Sequence, residues 1–412
     1  LVGSEMCIRD RYNPLHSGHV YQLSKAKELT GADRVVIAMS GDFTQRGTPA
    51  LLDKYVRAEM VLAAGADLVV ELPVRFATGS AERFAHGAVS LLDGLGVDAL
   101  CFGSECGSTD SLLFAARLLC EEPDSFRDTL RHALKNGASY PSARSQALST
   151  CVGGETRLSL PADFCESVWE GPNNILGIEY LKALIRLGST MEVCTVKRDG
   201  AGYSDSAIPE KGFCSALAIR EWLLSRKDPS ALTPYLPSGV CSLLTDAAKE
   251  DAFLCADDFS SMLFYRLLSL QYEGYTDYED VSQALSDKIA RNLFSFRSFS
   301  DFCSLLKSKD LTYARISRSL LHILLDIRES EKTARYARIL GFRRSSSDMF
   351  SVLGKGSVPL LSKPADAESI LDENGLALLK EDQFAAHLYE SVRAAKKGGT
   401  PQNECRRQII IV

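Results

Sequence analysis

Between residues 12 and 198 short apolar runs alternate with longer amphipathic stretches. The runs at 34–40 (RVVIAMS), 68–72 (LVVEL), 99–102 (ALCF) and 192–196 (EVCTV) are rich in β-branched residues and are punctuated by Gly, Pro or Asp. Runs of this kind predict strands covered on both faces, as in a parallel sheet. Stretches 18–29, 54–64, 81–95, 112–120 and 175–187 predict helices, the last with Ile175, Ile178, Leu181 and Ile185 on one face. Alternating β and α implies right-handed crossovers and an α/β fold built on a doubly wound parallel sheet. Ligands of such sheets sit beyond the carboxyl ends of the strands, so the residues just after each strand are the ones to search.

The pattern breaks near 226–238 (RKDPSALTPYLPS), where three prolines stand among small polar residues. Beyond it the apolar spacing turns helical at 259–270, 281–292, 299–307 and 312–325. A stretch at 336–359 mixes short apolar runs with Gly and Ser and predicts a few strands; 397–404 reads as a loop before the last apolar run, 409–412. The expected organisation is a nucleotide-binding unit over 12–228 and a mainly helical unit with a few C-terminal strands over 229–412. Residues 1–11 (LVGSEMCIRDR) show neither clean alternation nor a buried-strand run, and they lack the apolar core of a targeting segment. They resemble translated sequencing-adapter text and are read as non-native, with a short irregular terminus as the bland alternative.

Composition narrows the classes. No apolar run is long enough to span a bilayer. The 47 basic and 53 acidic side chains give a net charge of −6, so a nucleic-acid partner would have to be met by a local patch. The 12 cysteines are scattered with no CxxC pair, so no structural metal site is expected. No secretory signal is legible, and the expected compartment is the reducing cytoplasm.

The sharpest local signal is YNPLHSGH at 12–19. A turn through Pro14 leads into a helix near Gly18, placing His16 and His19 on one side of its first turn. A helix start offers N–H groups and a positive dipole end, and Gly18 admits close approach to the backbone. That combination suits triphosphate oxygens and an α-phosphate under attack. The alternative is two surface histidines on a loop.

The surrounding text is more specific than HxGH. YNPLHSGHVYQL, VIAMSGDFTQRGTPALLDKYVRAEMVLAAGADLVVELP, LCFGSE, KNGASYP, PNNILGIEYLKAL and KRDGAGYSD follow in order, and LTYARISRSLLHILL and NECRRQIIIV come later. Together they resemble the bacterial tRNA(Met) cytidine acetate ligase family of the HIGH-type nucleotidyl transferase superfamily. The resemblance implies activation of acetate by ATP to acetyl-adenylate. It further implies acetyl transfer to the 4-amino group of the wobble cytidine of elongator tRNA(Met), giving N4-acetylcytidine, with Mg2+ only as the counter-ion of ATP. The family begins with an apolar strand ending in Glu; here MCIRDR stands in its place, with Arg11 at the acid's position, and a chain lacking that strand is expected to fold poorly.

The resemblance assigns Tyr12, Asn13, Pro14, Leu15, His16, Ser17, Gly18 and His19 to ATP, with His16 and His19 as the catalytic pair. It adds Gly103, just after a strand, Asn174 and Arg198; the bland alternatives are a turn glycine, a helix cap and a solvated strand end. The polar loop 40–49 is read as shaping the acetate or cytidine end of the crevice, with Arg46 pairing with a carboxylate or phosphate or merely bracing the loop. SALAIR at 215–220 resembles the superfamily's second phosphate motif, though Leu217 replaces a hydroxyl residue, so only Ser215 and Arg220 carry over. In the second half, Lys307, Lys309, Arg315 and Arg318 form a basic face suited to a phosphate backbone, or to plain solvation. Two rivals stand: another adenylyl-transferring enzyme, such as a citrate lyase ligase or cofactor adenylyltransferase, and a non-catalytic RNA-binding protein.

Overall fold

The computed structural model describes residues 12–138, 143, 144, 146, 147, 160–198, 208, 212–226, 228–330 and 333–412, with the backbone alone at 166 and over 5–10. Arg11, residues 139–141 of KNGASYP and residues 199–205 of KRDGAGYSD lie outside the described residues. Strands β1 (Glu5–Asp10), β2 (Arg34–Ser40), β5 (Leu68–Leu72), β6 (Ala99–Ser104) and β7 (Glu192–Lys197) are parallel neighbours in the order β5-β2-β1-β6-β7. Two short strands between β2 and β5, β3 (Phe43–Thr44) and β4 (Thr48–Pro49), form a separate hairpin. Helices α1 (Ser17–Thr30), α2 (Lys54–Ala63), α3 (Ala81–Leu95), α4 (Thr109–Glu121), α5 (Pro172–Leu187) and α6 (Ala216–Arg226) fill the connections or follow the last of them.

Each buried strand serves two cores. In β2, Val36 and Ala38 join Val70, Leu100 and Phe102 on one face, while Val35, Ile37 and Met39 join Val69 and Cys101 on the other. This explains why the strands read as continuous apolar runs rather than alternating ones.

One expectation is corrected. The segment read as strandless supplies β1, the central strand, paired with β2 through Met6↔Val35 and Ile8↔Ile37 and with β6 through Met6↔Ala99 and Ile8↔Cys101. Strand pairing is made by backbone N–H and C=O groups, so a weak side-chain pattern does not forbid it. The few C-terminal strands are present and join the same sheet: β8 (Ala337–Phe342) lies antiparallel to β5, and β9 (Leu360–Leu361) and β10 (Ile410–Ile411) both pair with β8.

Between these, helices Ser260–Ser269, Gln283–Asn292, Phe299–Leu306 and α7 (Tyr313–Leu324) enclose a third core around Leu267, Ile289, Phe302 and Leu320. The 25-residue helix α8 (Glu373–Lys397), absent from the sequence reading, reaches back to the first half: its Asp382 accepts the Val74 N–H at 2.6 Å and its Tyr389 donates to the Ala50 carbonyl at 2.9 Å. No described helix is long and apolar enough to cross a membrane.

The β3–β4 hairpin docks on α7. Ser317 donates to the Gly47 carbonyl at 2.9 Å, Gly47 has φ +75°, and a Cβ there would run into the Arg318 backbone. Gly47→Ala should therefore cost about 2 kcal/mol or more, combining left-handed strain with a steric clash. Denaturant unfolding checks this; a change within about 0.5 kcal/mol, the usual range of harmless surface substitutions, would contradict the docking described.

Candidate active site

Strand order reverses at β1: the chain builds β2 and β5 on one side, then β6 and β7 on the other. The crevice of such a sheet opens where the order reverses, beyond the carboxyl ends of β1 and β6. Here a space of about 980 Å³, including its open mouth, is lined by Asn13, His16, His19, Gln22, Gly103, Arg198 and residues of four further segments. The turn after β1, the end of β6 and the end of β7 thus converge, as the strand-end rule requires.

His16 is the residue that caps α1. Its Nδ1 accepts the Gly18 N–H at 3.1 Å, and the His19 Nδ1 accepts the His16 N–H at 3.2 Å. With each Nδ1 serving as acceptor, a neutral ring carries its proton on Nε2. The two rings lie 3.8 Å apart between centroids and both line the crevice. Two expectations change. The Gly18 N–H is taken by His16 rather than offered to a ligand, and the space above Gly18 is filled by the His16 ring, whose Cε1 would lie 2.9 Å from an added Cβ.

The rest of the YNPLHSGH segment divides between lining and support. Asn13 lines the crevice; its Oδ1 accepts the Leu51 N–H at 2.8 Å and its carbonyl accepts Arg220 Nη1 at 2.7 Å. Tyr12 and Leu15 are buried in the core, with the Tyr12 ring edge against His19 at 5.0 Å. Pro14 is buried within the turn, and Ser17 and Gly18 are half-buried at the start of α1. None of these five is among the residues lining the crevice; they build the turn that carries Asn13, His16 and His19 into it.

Gly103 and Arg198 meet at the ends of β6 and β7. The Arg198 stem lies over Gly103, so close that an added Cβ would sit 3.3 Å from its Cγ, and the Arg198 N–H donates to the Ser104 carbonyl at 2.9 Å.

Asn174 does not line the crevice. It is fully buried, its Oδ1 accepting the N–H groups of Glu105 (2.9 Å) and Cys106 (3.1 Å), and its Nδ2 donating to the carbonyls of Ser167 (3.1 Å) and Glu170 (2.7 Å). Every hydrogen-bonding position of the amide is spent on backbone. Its neighbour Asn173 lines the crevice instead. Neither asparagine caps α5; Glu105 does so from across the gap, accepting the N–H groups of Asn173 (3.2 Å) and Asn174 (2.7 Å).

Arg46, Ser215 and Arg220 also line the crevice, which brings Arg46, Arg198 and Arg220 to one space with no carboxylate among its described lining residues. Three guanidinium groups on one space draw anions. Among the described residues no cluster of three or more His, Cys, Asp or Glu could hold a metal. Thr44 and Thr48 of the loop 40–49 line the crevice beside Arg46, and Gln22 and Tyr180, not singled out in the sequence, do so too. Gln22 was findable, as a polar residue one turn beyond His19; Tyr180 arrives through long-range packing.

The basic face of the second half is only partly assembled. Lys307 and Lys309 are exposed and Arg315 is half-buried, but Arg318 is drawn to Asp280 at 2.8 Å. A wider groove of about 1540 Å³ continues from the crevice past Arg46, Asn173 and Arg220 to Tyr313 and Arg318 on α7.

The family described as HIGH Nucleotidyl Transferase matches residues 7–404. A tRNA(Met) cytidine acetate ligase of Clostridium novyi is 37% identical over 364 residues, covering 86% of this chain and 89% of that one. The protein of the same name from Clostridium tetani is 38% identical over 374 residues, covering 88% and 91%. The crystal structure of apo Thermotoga maritima TmcAL (form I) superposes with a TM-score of 0.90 at 29% identity over 99% of both chains. The structure of that protein bound with alpha-thio ATP gives 0.87 at the same identity and coverage.

Proposed function

The chain belongs to the HIGH nucleotidyl transferase family, within the tRNA(Met) cytidine acetate ligases, and on that premise we propose how its crevice works. It is an ATP-dependent ligase: acetate is activated as acetyl-adenylate with release of pyrophosphate. The acetyl group then passes to the 4-amino group of the wobble cytidine of elongator tRNA(Met), with AMP as the leaving group. The observation that carries the reading is the capped histidine pair at the switch point, facing three guanidinium groups.

Acetate oxygen attacks the α-phosphorus, and negative charge builds on the equatorial oxygens as the bond to pyrophosphate breaks. His16 and His19 donate Nε2–H to those oxygens, held by their Nδ1 hydrogen bonds before substrate arrives. Arg198, laid over Gly103, and Asn173 hold the nucleotide, while Asn174 fixes the 104–106 turn from behind. Mg2+ would enter only as the counter-ion of ATP. We place the reaction in the cytoplasm, where tRNA is decoded. The test is labelled acetate with ATP and bulk bacterial tRNA, followed by nucleoside analysis. Label in N4-acetylcytidine supports the reading; label on a protein thiol would favour a citrate lyase ligase, and no acetate-dependent turnover of ATP would favour an RNA-binding protein.

The groove toward α7 is the route by which tRNA reaches the acetyl-adenylate, with docking assigned to the helices that follow residue 228, while β8–β10 of the same half support the sheet that carries activation. Neutralising Lys307, Lys309 and Arg315 should leave tRNA-independent activation untouched. It should weaken tRNA binding and lower its salt slope by about one per lost phosphate contact. Parent-like affinity and salt slope in that variant would place the docking surface elsewhere.

A further inference from the structure

The C-terminal motif NECRRQ, 403–408, is not used by the reaction just described, yet it sends one side chain, Glu404, into the interior. Glu404 is buried. Its carboxylate receives Lys54 Nζ at 2.7 Å, Arg338 Nη2 at 2.8 Å and the Tyr55 hydroxyl at 3.1 Å. Lys54 also meets Glu71 at 2.8 Å, and Arg338 meets Glu71 at 3.5 Å. Asp42 also stands 3.8 Å from Lys54 Nζ, so two buried cations face three buried carboxylates, one of them delivered by the tail. Three residues on, Arg407 reaches Asp53 at 3.3 Å and lies over the Tyr55 ring at 4.6 Å.

Beside Arg338 of β8 and His387 of α8, the tail touches Asp53, Lys54 and Tyr55, where the loop 41–53 runs into α2. Asp53 caps α2 through the N–H groups of Tyr55 and Val56, and Asp42 accepts the Lys54 N–H at 2.9 Å. The buried Arg57 guanidinium ties both feet together through the carbonyls of Ser40, Gly41 and Leu52. The tip of the loop carries Thr44, Arg46 and Thr48 into the crevice. They approach from a different segment than the nucleotide-holding residues His16, His19, Gly103 and Arg198.

We propose that Glu404 is a positioning residue for the reaction, and that the tail, by completing the Lys54–Glu71–Arg338 cluster, sets the loop 41–53 so that Arg46 meets the acetate end of the crevice. The inference rests on the ligase reading given above. Removing one partner of a buried ion pair leaves the other charge uncompensated, and the cluster must then relax. Lys54 begins α2 directly after the loop, so the relaxation is transmitted to the residues that line the crevice. Burial alone pushes the Glu404 carboxyl up, but the charges of Lys54 and Arg338 more than reverse this and hold it at about 2. The ion cluster is therefore intact above the ordinary carboxylate range and its contribution is lost as the pH falls toward 2.

The experiment is acetate-dependent pyrophosphate exchange by the full chain, with KM for ATP and for acetate measured separately. Glu404→Gln should lower kcat/KM for acetate by about 10- to 100-fold, the scale of an ångström-sized misplacement, with KM for ATP within about twofold of the parent. Glu404→Asp, which keeps the charge, should recover part of the loss. In an Arg46→Ala background Glu404→Gln should add nothing further, because Glu404 acts through the loop that carries Arg46; a purely structural role would leave the two effects additive. Should Glu404→Gln fail to fold, Arg407→Ala loosens the same footing from its outer side and should shift acetate kinetics in the same direction. Parent-like acetate kinetics in the folded variants, or equal loss toward ATP and acetate, overturns the inference alone. A parent chain without acetate-dependent exchange overturns the ligase reading and this inference with it.

Discussion

Replacing His19 by Ala should lower the rate of acetyl-adenylate formation by about 10²–10³-fold, as removal of one preorganised oxyanion donor does. His16→Ala should do the same. Both rings also hold the first turn of α1, so each alanine variant should lose about 1 kcal/mol of stability with the cap. The two effects can be separated. His16→Asn keeps an acceptor for the Gly18 N–H but presents no Nε2–H; it should recover the stability and not the rate. Single-turnover adenylation with denaturant unfolding on the same variants checks both quantities. An alanine variant with parent-like adenylation would remove the histidines from the mechanism.

Substituting Asn174 should have the larger structural effect. Asn174→Ala strands the N–H groups of Glu105 and Cys106 and the carbonyls of Ser167 and Glu170. Each buried polar group left without a partner costs about 1–3 kcal/mol; allowing for water entering the space, a total of about 3 kcal/mol is expected. KM for ATP should rise as well, since the turn after Gly103 loses its anchor. Asn173→Ala should raise KM for ATP with little loss of stability, because that side chain faces the crevice. A stable Asn174→Ala and a collapsed Asn173→Ala would reverse the roles assigned here.

The neighbouring asparagines show where sequence reading stopped. PNNILG marked a helix start correctly, but which amide faces the ligand depends on the phase of α5 and on Glu105, some 70 residues earlier in the chain. Local signals were legible: the double-covered strands, the HxGH turn opening α1, and the strand ends where Gly103 and Arg198 meet. Signals carried by distant pairing were not. Glu5–Asp10 becomes the central strand because its backbone is flanked by β2 and β6, and β8 joins the sheet through an antiparallel edge that no periodicity announces. The helix Glu373–Lys397 was a different failure, since its cues were present. Asp372 caps its start, Lys396 and Lys397 lie in its last turn, and Gly398 closes it. The same blindness to long-range partners hid the tail: Glu404 reads as loop text until Lys54 and Arg338 are seen on either side of it.

The measurement that bears most directly on the central claim is exchange of labelled pyrophosphate into ATP by the full chain, with and without acetate, in the absence of tRNA. The account predicts exchange that requires acetate, does not require tRNA, and falls by about 10²–10³-fold in His19→Ala. Exchange that proceeds without acetate, that needs tRNA, or that survives the loss of His19 would contradict it.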